Sequence, residues 1–236
     1  MKPGETKVNS RDKIIVALDV PTKADALGLI DQLADEISFY KIGLQLYTAE
    51  GPEIVRAVLQ RNAKVFLDLK LHDIPNTVAG AVQSAVSLGV HMLTVHLSGG
   101  EAMVRAALKA ANQRLLVLGV TVLTSADQQT LSEIGIADSV EAQVLRLAKV
   151  GVDAGVGGLV ASPHELERLR AEFGEDIKIV TPGVRPAGAE TNDQKRFMTP
   201  REALLLGADC LVIGRPITAA PNPSEAVKRI VEEIEE

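Results

Sequence analysis

Residues 66–80 read FLDLKLHDIPNTVAG, and in this stretch Asp68, Lys70 and Asp73 stand among Phe66, Leu67, Leu69 and Leu71. The apolar neighbours are those of a buried strand, where an unpaired charge costs several kcal/mol even after relaxation. Charges in such a setting need partners, and an amine held between carboxylates is equipped to give up a proton. Strand periodicity is two, so Val65, Leu67 and Leu69 share one side while Phe66, Asp68 and Lys70 share the other. Two further runs repeat the pattern. KIIVALDV ends near Asp19, and FYKIGL carries Lys41 between Tyr40 and Ile42. Neighbouring strand ends can thus offer Asp19, Lys41, Asp68 and Lys70 to one pocket, alternating in sign. At an effective dielectric of about 20, unit charges about 4 Å apart interact by roughly 4 kcal/mol, which favours the ammonium form of Lys70 despite burial. The amine then reads as an acid rather than a Schiff-base nucleophile. The competing reading is a structural ion-pair cluster that fixes strand ends. The addition of Asp19 and Lys41 from two other runs favours function over that reading.

Those charges need a scaffold that brings strand ends together. Short β-branched or leucine-rich runs alternate along the chain with longer segments of helical period, the pattern of β-α units around a parallel sheet. The spacing predicts eight strands, at 13–20, 39–44, 64–70, 92–97, 115–123, 157–162, 177–183 and 210–216. Three helix starts share one chemistry: Ser162-Pro163 with Glu165, Thr199-Pro200 with Glu202, and Asn222-Pro223 with Glu225 each combine a capping residue, a proline at the first helical position and a glutamate. Eight units in 236 residues match the economy of an α/β fold of the (β/α)8 TIM-barrel type. An open doubly wound sheet is the rival, but ALDVPT after the first strand lacks the glycine-rich turn that fold uses. No linker divides the chain, which reads as a single domain over 1–236 with residues 1–11 as an N-terminal extension.

In a barrel of this kind the C-terminal ends of the strands carry the chemistry. The seventh loop offers Pro182, Gly183, Val184 and Arg185, and the eighth offers Gly214, Arg215 and Pro216. Glycine lets backbone N–H groups approach phosphate oxygens and arginine can clamp them, so these loops are a candidate phosphate site. The segment VRPAGAETNDQKRF after the seventh strand is long and polar for such a connection and is a candidate lid.

Other features exclude whole classes. The formal charge of −6 and an aromatic content of 3% oppose nucleic-acid binding, which needs a basic surface and stacking platforms. No apolar run reaches the roughly 18 residues of a membrane span, and MKPGETKVNSRDK has no apolar segment of signal-peptide type, so a cytoplasmic protein is expected. The lone Cys210 permits neither an internal disulfide nor a thiolate cluster. His72, His91, His96 and His164 lack metal-ligand spacing, and no metal site is expected. Gly155, Gly157 and Gly158 precede the sixth strand and read as a tight turn on the face away from the chemistry.

With ALD at 17–19, YKIG at 40–43, DLKLHDIPNT at 68–77, VTVLTS at 120–125, TPGVRP at 181–186 and IGRPI at 213–217, the sequence resembles the orotidine 5′-phosphate decarboxylases of bacterial type over nearly its whole length. The resemblance implies a homodimeric barrel that converts orotidine 5′-phosphate to UMP and CO2 in pyrimidine synthesis without cofactor. It makes Lys70 the proton donor, sets Asp68 beside the leaving carboxylate, and lets Lys41 and Asp73 complete the charge array. Asp73 and Thr77 would reach the site of the partner subunit. Asp19 and Lys41 would bind ribose hydroxyls, Thr124 and Ser125 would meet the pyrimidine edge, and Gln194, Arg215 and the Gly214 backbone would hold phosphate, with Arg185 at the base of the lid. Two alternatives stand beside it. One is a Mg²⁺-dependent lyase of the 3-keto-gulonate 6-phosphate decarboxylase or hexulose-phosphate synthase type, which has an acidic ligand where this chain has Lys41. The other is a non-catalytic nucleotide-binding barrel.

Overall fold

A computed structural model gives the structure of the protein and describes residues 10–186 and 198–236. The alternation of apolar residues along each strand decides the architecture. On β1 (Ile14–Ala17), Ile14 and Val16 join the core beneath the helices while Ile15 and Ala17 face the other way. On β2 (Phe39–Gly43), Tyr40 and Ile42 take the helical side, as do Val65 and Leu67 on β3 (Lys64–Leu71). The chain continues through β4 (Met92–His96), β5 (Leu116–Val120), β6 (Gly158–Val160), β7 (Lys178–Pro182) and β8 (Cys210–Ile213). Each strand pairs in parallel with the next, and β8 pairs with β1, closing the barrel.

Residues that face inward form a second, smaller core of Ile15, Ala17, Phe66, Leu118, Val180 and Val212. This plug fills the barrel as side-chain layers do in such folds and becomes the floor of whatever lies above it. Gly158 belongs to β6, inside the strand expected over 157–162, which corrects only its reading as part of a tight turn before that strand. A Cβ there would stand 2.7 Å from a Leu118 methyl and 2.8 Å from the Lys178 carbonyl, so the packed interior requires glycine inside the strand. Gly155 is the terminating residue expected of a turn, in the left-handed region at φ 100 after the helix Val140–Ala154.

The strand ends lie short of several expected limits. β1 stops at Ala17, β5 at Val120 and β8 at Ile213, so Asp19 and Thr124 sit in loops above the barrel and Arg215 opens the short helix Arg215–Thr218. The helix starts follow their sequence signals. Thr199 and Glu202 form a reciprocal capping box for Pro200–Leu205, and Asn222 accepts from the Glu225 N–H to start Pro223–Glu235. Ser162 and Glu165 make the same box, but it opens a 3-10 turn at Pro163–Glu165 that then leads into Leu166–Phe173. The last helix buries Ala226, Val227, Ile230 and Val231, the face that its 3.6-residue period marks as apolar.

Candidate active site

Above the inner plug, at the C-terminal ends of the strands, lies a cavity of about 320 Å³. Ala17, Phe66, Val160 and Val212 give it an apolar floor, and Asp19, Lys41, Asp68 and Lys70 form its charged wall. The four charges come from the adjoining strands β2 and β3 and the loop that follows β1. Gly43 pairs with Asp68 and Lys41 with Phe66 across β2 and β3, while the Leu18 N–H donates to the Lys41 carbonyl at 2.9 Å and carries Asp19 alongside.

Asp68 is the hub. Both of its oxygens accept from Lys70 Nζ at 2.8 Å, and Oδ2 lies 3.8 Å from Lys41 Nζ. Lys41 also donates to Asp19 Oδ1 at 3.0 Å. The series Asp19, Lys41, Asp68, Lys70 therefore alternates in sign through direct contacts. Burial decreases outward from the hub: the side chains of Asp68 and Lys41 are 12% exposed, that of Lys70 28% and that of Asp19 57%. A carboxylate as enclosed as Asp68 needs its lone pairs satisfied; the Lys70 ammonium and the Thr94 hydroxyl donate to it, and the Lys41 ammonium adds its charge at 3.8 Å.

Lys70 reaches this position through an irregular backbone. Leu67 pairs with Leu93 and Leu71 with Val95, so Asp68, Leu69 and Lys70 lie opposite Thr94 alone. Lys70 takes up the excess at φ 49, in the left-handed region. Its N–H donates to Thr94 Oγ1 at 2.8 Å, and the same hydroxyl donates to Asp68 Oδ1 at 2.9 Å. Sequence reasoning missed Thr94. The signal was present: in MLTVH, Met92, Thr94 and His96 share the inward parity, and a hydroxyl at that position has to find a partner.

Gly43 is a second residue whose role only the packing reveals. An added Cβ would come within 3.0 Å of Lys41 Nζ and 3.3 Å of Asp19 Oδ1. Gly214 and Arg215 from the eighth loop continue the lining beside Asp19, and Pro182, Gly183 and Arg185 from the seventh loop and Thr124 complete it. Gly183 sits at φ 83, where glycine is the favoured residue. The Arg185 N–H donates to the Met198 carbonyl at 3.0 Å, which ties the two described stems of the seventh loop together. Gln194 and most of the candidate lid lie outside the described residues.

Not every expected residue joins this cavity. Ser125 is exposed and does not line it, in contrast to its neighbour Thr124. Asp73 and Thr77 are also exposed and outside its lining, and Asp73 Oδ1 accepts from the Ile74 N–H at 2.6 Å. The fold does bring His72 and His96 together, with ring centroids 5.5 Å apart. Burial, then the neighbouring His72 and Lys70, hold the His96 imidazole below its ordinary value, with Asp68 opposing them. Among the described residues no group of three or more His, Cys, Asp or Glu side chains could hold a metal ion, and no helix is long and apolar enough to cross a membrane.

A closed parallel barrel with alternating charges and arginine- and glycine-bearing loops around one C-terminal cavity has the architecture of a barrel enzyme for a phosphorylated substrate. The chain belongs to the orotidine 5′-phosphate decarboxylase / HUMPS family, whose model matches residues 12–230. It is 50% identical over 238 residues to the orotidine 5′-phosphate decarboxylase of Moorella thermoacetica, covering 97% of this chain and 94% of that relative. It is 51% identical over 224 residues to the enzyme of the same name from Opitutus terrae, covering 94% and 97%. The crystal structure of orotidine 5′-phosphate decarboxylase from Lactobacillus acidophilus superposes with a TM-score of 0.84 at 34% identity, over 94% of this chain and 99% of that one.

Proposed function

We infer that this chain converts orotidine 5′-phosphate to UMP and CO2, the carboxy-lyase reaction of pyrimidine biosynthesis, and that Lys70 delivers the proton that replaces the carboxylate. The observation that carries the second part is the grip of both Asp68 oxygens on Lys70 Nζ at 2.8 Å, at the edge of an apolar floor. Loss of CO2 from pyrimidine C6 leaves an electron pair in an sp² orbital that the ring cannot delocalise. A cation already fixed at that point stabilises the developing charge without reorganising and then protonates the carbon. Enzymes lower barriers by about 8–23 kcal/mol, and here preorganised charge and binding of the remote phosphate must supply the share that a cofactor would otherwise give.

The remaining roles follow from position. Asp19 and Lys41 meet the ribose hydroxyls, Asp68 flanks the departing carboxylate, Thr124 faces the pyrimidine edge, and Arg215 with the Gly214 backbone takes the phosphate near Pro182 and Arg185. Exposure of Asp73 and Thr77 suits their insertion into the site of a second subunit, so the working unit is a homodimer. The cytoplasm is the corresponding location. The Mg²⁺-dependent alternative needs an acidic ligand where Lys41 stands, 3.0 Å from Asp19 and 3.8 Å from Asp68, and a fixed ammonium there opposes a divalent cation.

The test follows the ultraviolet absorbance of orotidine 5′-phosphate with wild type and Lys70→Ala, with and without EDTA. The expected result is a loss of at least about a hundredfold in kcat for Lys70→Ala, on the scale of general-acid contributions, with substrate binding retained. EDTA is expected to leave wild-type turnover unchanged. Equal rates for the two proteins would refute the role of Lys70, and strict Mg²⁺ dependence would favour the other lyase.

A further inference from the structure

We propose that Thr94 is a positioning residue for proton delivery, holding the Lys70 ammonium at its reactive place through one bifunctional hydroxyl. This rests on the reading of Lys70 as proton donor and adds a residue to it. The hydroxyl is wholly buried on β4 and spans the irregular pairing with β3. Its oxygen accepts the Lys70 N–H at 2.8 Å, standing in for the carbonyl that a regular ladder would offer. Its proton goes to Asp68 Oδ1 at 2.9 Å. One group thereby fixes both ends of the Lys70 geometry: the left-handed backbone at φ 49 that aims the side chain, and the carboxylate that grips its tip.

The polarity of the contacts supports the assignment. A backbone N–H and a carboxylate oxygen make opposite demands, one for an acceptor and one for a donor, and a hydroxyl serves both with its single proton. Valine has nearly the same shape and serves neither. With Thr94 absent, Lys70 can relax out of the left-handed region and Asp68 can rotate, so the ammonium leaves the point where the C6 electron pair forms. Substrate contacts at the ribose and phosphate ends are untouched.

Thr94→Val, Thr94→Ala and Thr94→Ser are compared by steady-state kinetics on orotidine 5′-phosphate, with active sites counted by calorimetric titration with UMP and folding followed by Tm. The alanine variant guards against failure of the valine variant to fold. The expected result is a fall in kcat per titrated site of about 10- to 100-fold for Val and Ala, the scale of a displacement of up to 1 Å, with KM within about threefold. Ser is expected to restore kcat to within about threefold of wild type, because it keeps the hydroxyl. A merely structural role would lower Tm and the number of titratable sites and leave kcat per site intact. The proposal is overturned if Val and Ala turn over within about twofold of wild type per site, or if Ser fails as badly as they do. If instead Lys70→Ala proves as active as wild type, the reading of Lys70 falls first and this inference goes with it.

Discussion

Lys70 occupies a left-handed backbone at φ 49, where a long side chain is strained by roughly 1–3 kcal/mol. Surrounding structure must over-determine such a residue, and Thr94 and Asp68 do so from two sides. At the other end of the charge series, Gly43 secures the contact of Lys41 with Asp19. Its backbone is ordinary, with φ −97, so alanine there adds no conformational strain. The obstruction is the 3.0 Å approach to Lys41 Nζ, the tip of a flexible chain that can swing away only by leaving Asp19. Gly43→Ala is therefore expected to cut kcat/KM on the order of tenfold, through displacement of Lys41, the group proposed to meet the ribose, while Tm holds or rises slightly because the unfolded chain loses freedom. Steady-state kinetics and a thermal melt on the same preparation check it.

At the level of elements, β3 and β4 do more than pair. Their irregular register turns the last part of β3 into the charged wall, and β4 contributes Thr94 and then His96 behind it. Burial, His72 and Lys70 hold His96 below its ordinary value of 6.5. The unfolded chain therefore binds a proton as pH falls through about 6.5 while the folded chain resists, so this residue makes stability decline with acidification below that point. His91, lowered by burial and Lys64, acts in the same direction. Urea unfolding at pH 7.5 and 5.5, above the ordinary carboxylate range of about 4, is expected to show the folded state weakening at the lower pH. His96→Gln is expected to lessen that difference, and an unchanged difference would remove His96 from the account.

At the scale of the molecule, the barrel does what the elements cannot do separately. It sets charges from residues 19, 41, 68 and 70 and arginines from residues 185 and 215 around one cavity, above a shared apolar floor. One short stretch points away from this cavity. Asp73, Ile74 and Thr77 are exposed at the end of β3 and the start of the helix Pro75–Leu88, with Ile74 66% exposed. An apolar side chain beside a polar pair fits a face that another copy covers. If sites are shared in this way, inactive Asp73→Ala and Lys70→Ala chains mixed under conditions of subunit exchange regenerate one intact site per mixed dimer. Activity is expected to return to about a quarter of wild type for random pairing, since half of the dimers are mixed and each has one good site of two. No recovery despite exchange shown by mass-tagged chains would count against shared sites.

The sequence by itself determined the barrel and most of the cavity. Eight apolar runs with period two fix which side chains face in, and that parity directs Lys41 and Asp68 inward and Tyr40, Ile42, Val65 and Leu67 toward the helices, whereas Lys70 takes its place through the left-handed backbone at the broken register. Helix starts at Thr199 and Asn222 were legible because capping is a contact within a few residues. The tertiary structure decided what depends on distant neighbours. Gly158 lies in a strand because Leu118 needs its space, and Gly43 stays small because Lys41 and Asp19 meet above it. Thr94 becomes part of the site because the pairing of β3 with β4 shifts, and a register shift is a relation between two strands that neither one encodes alone.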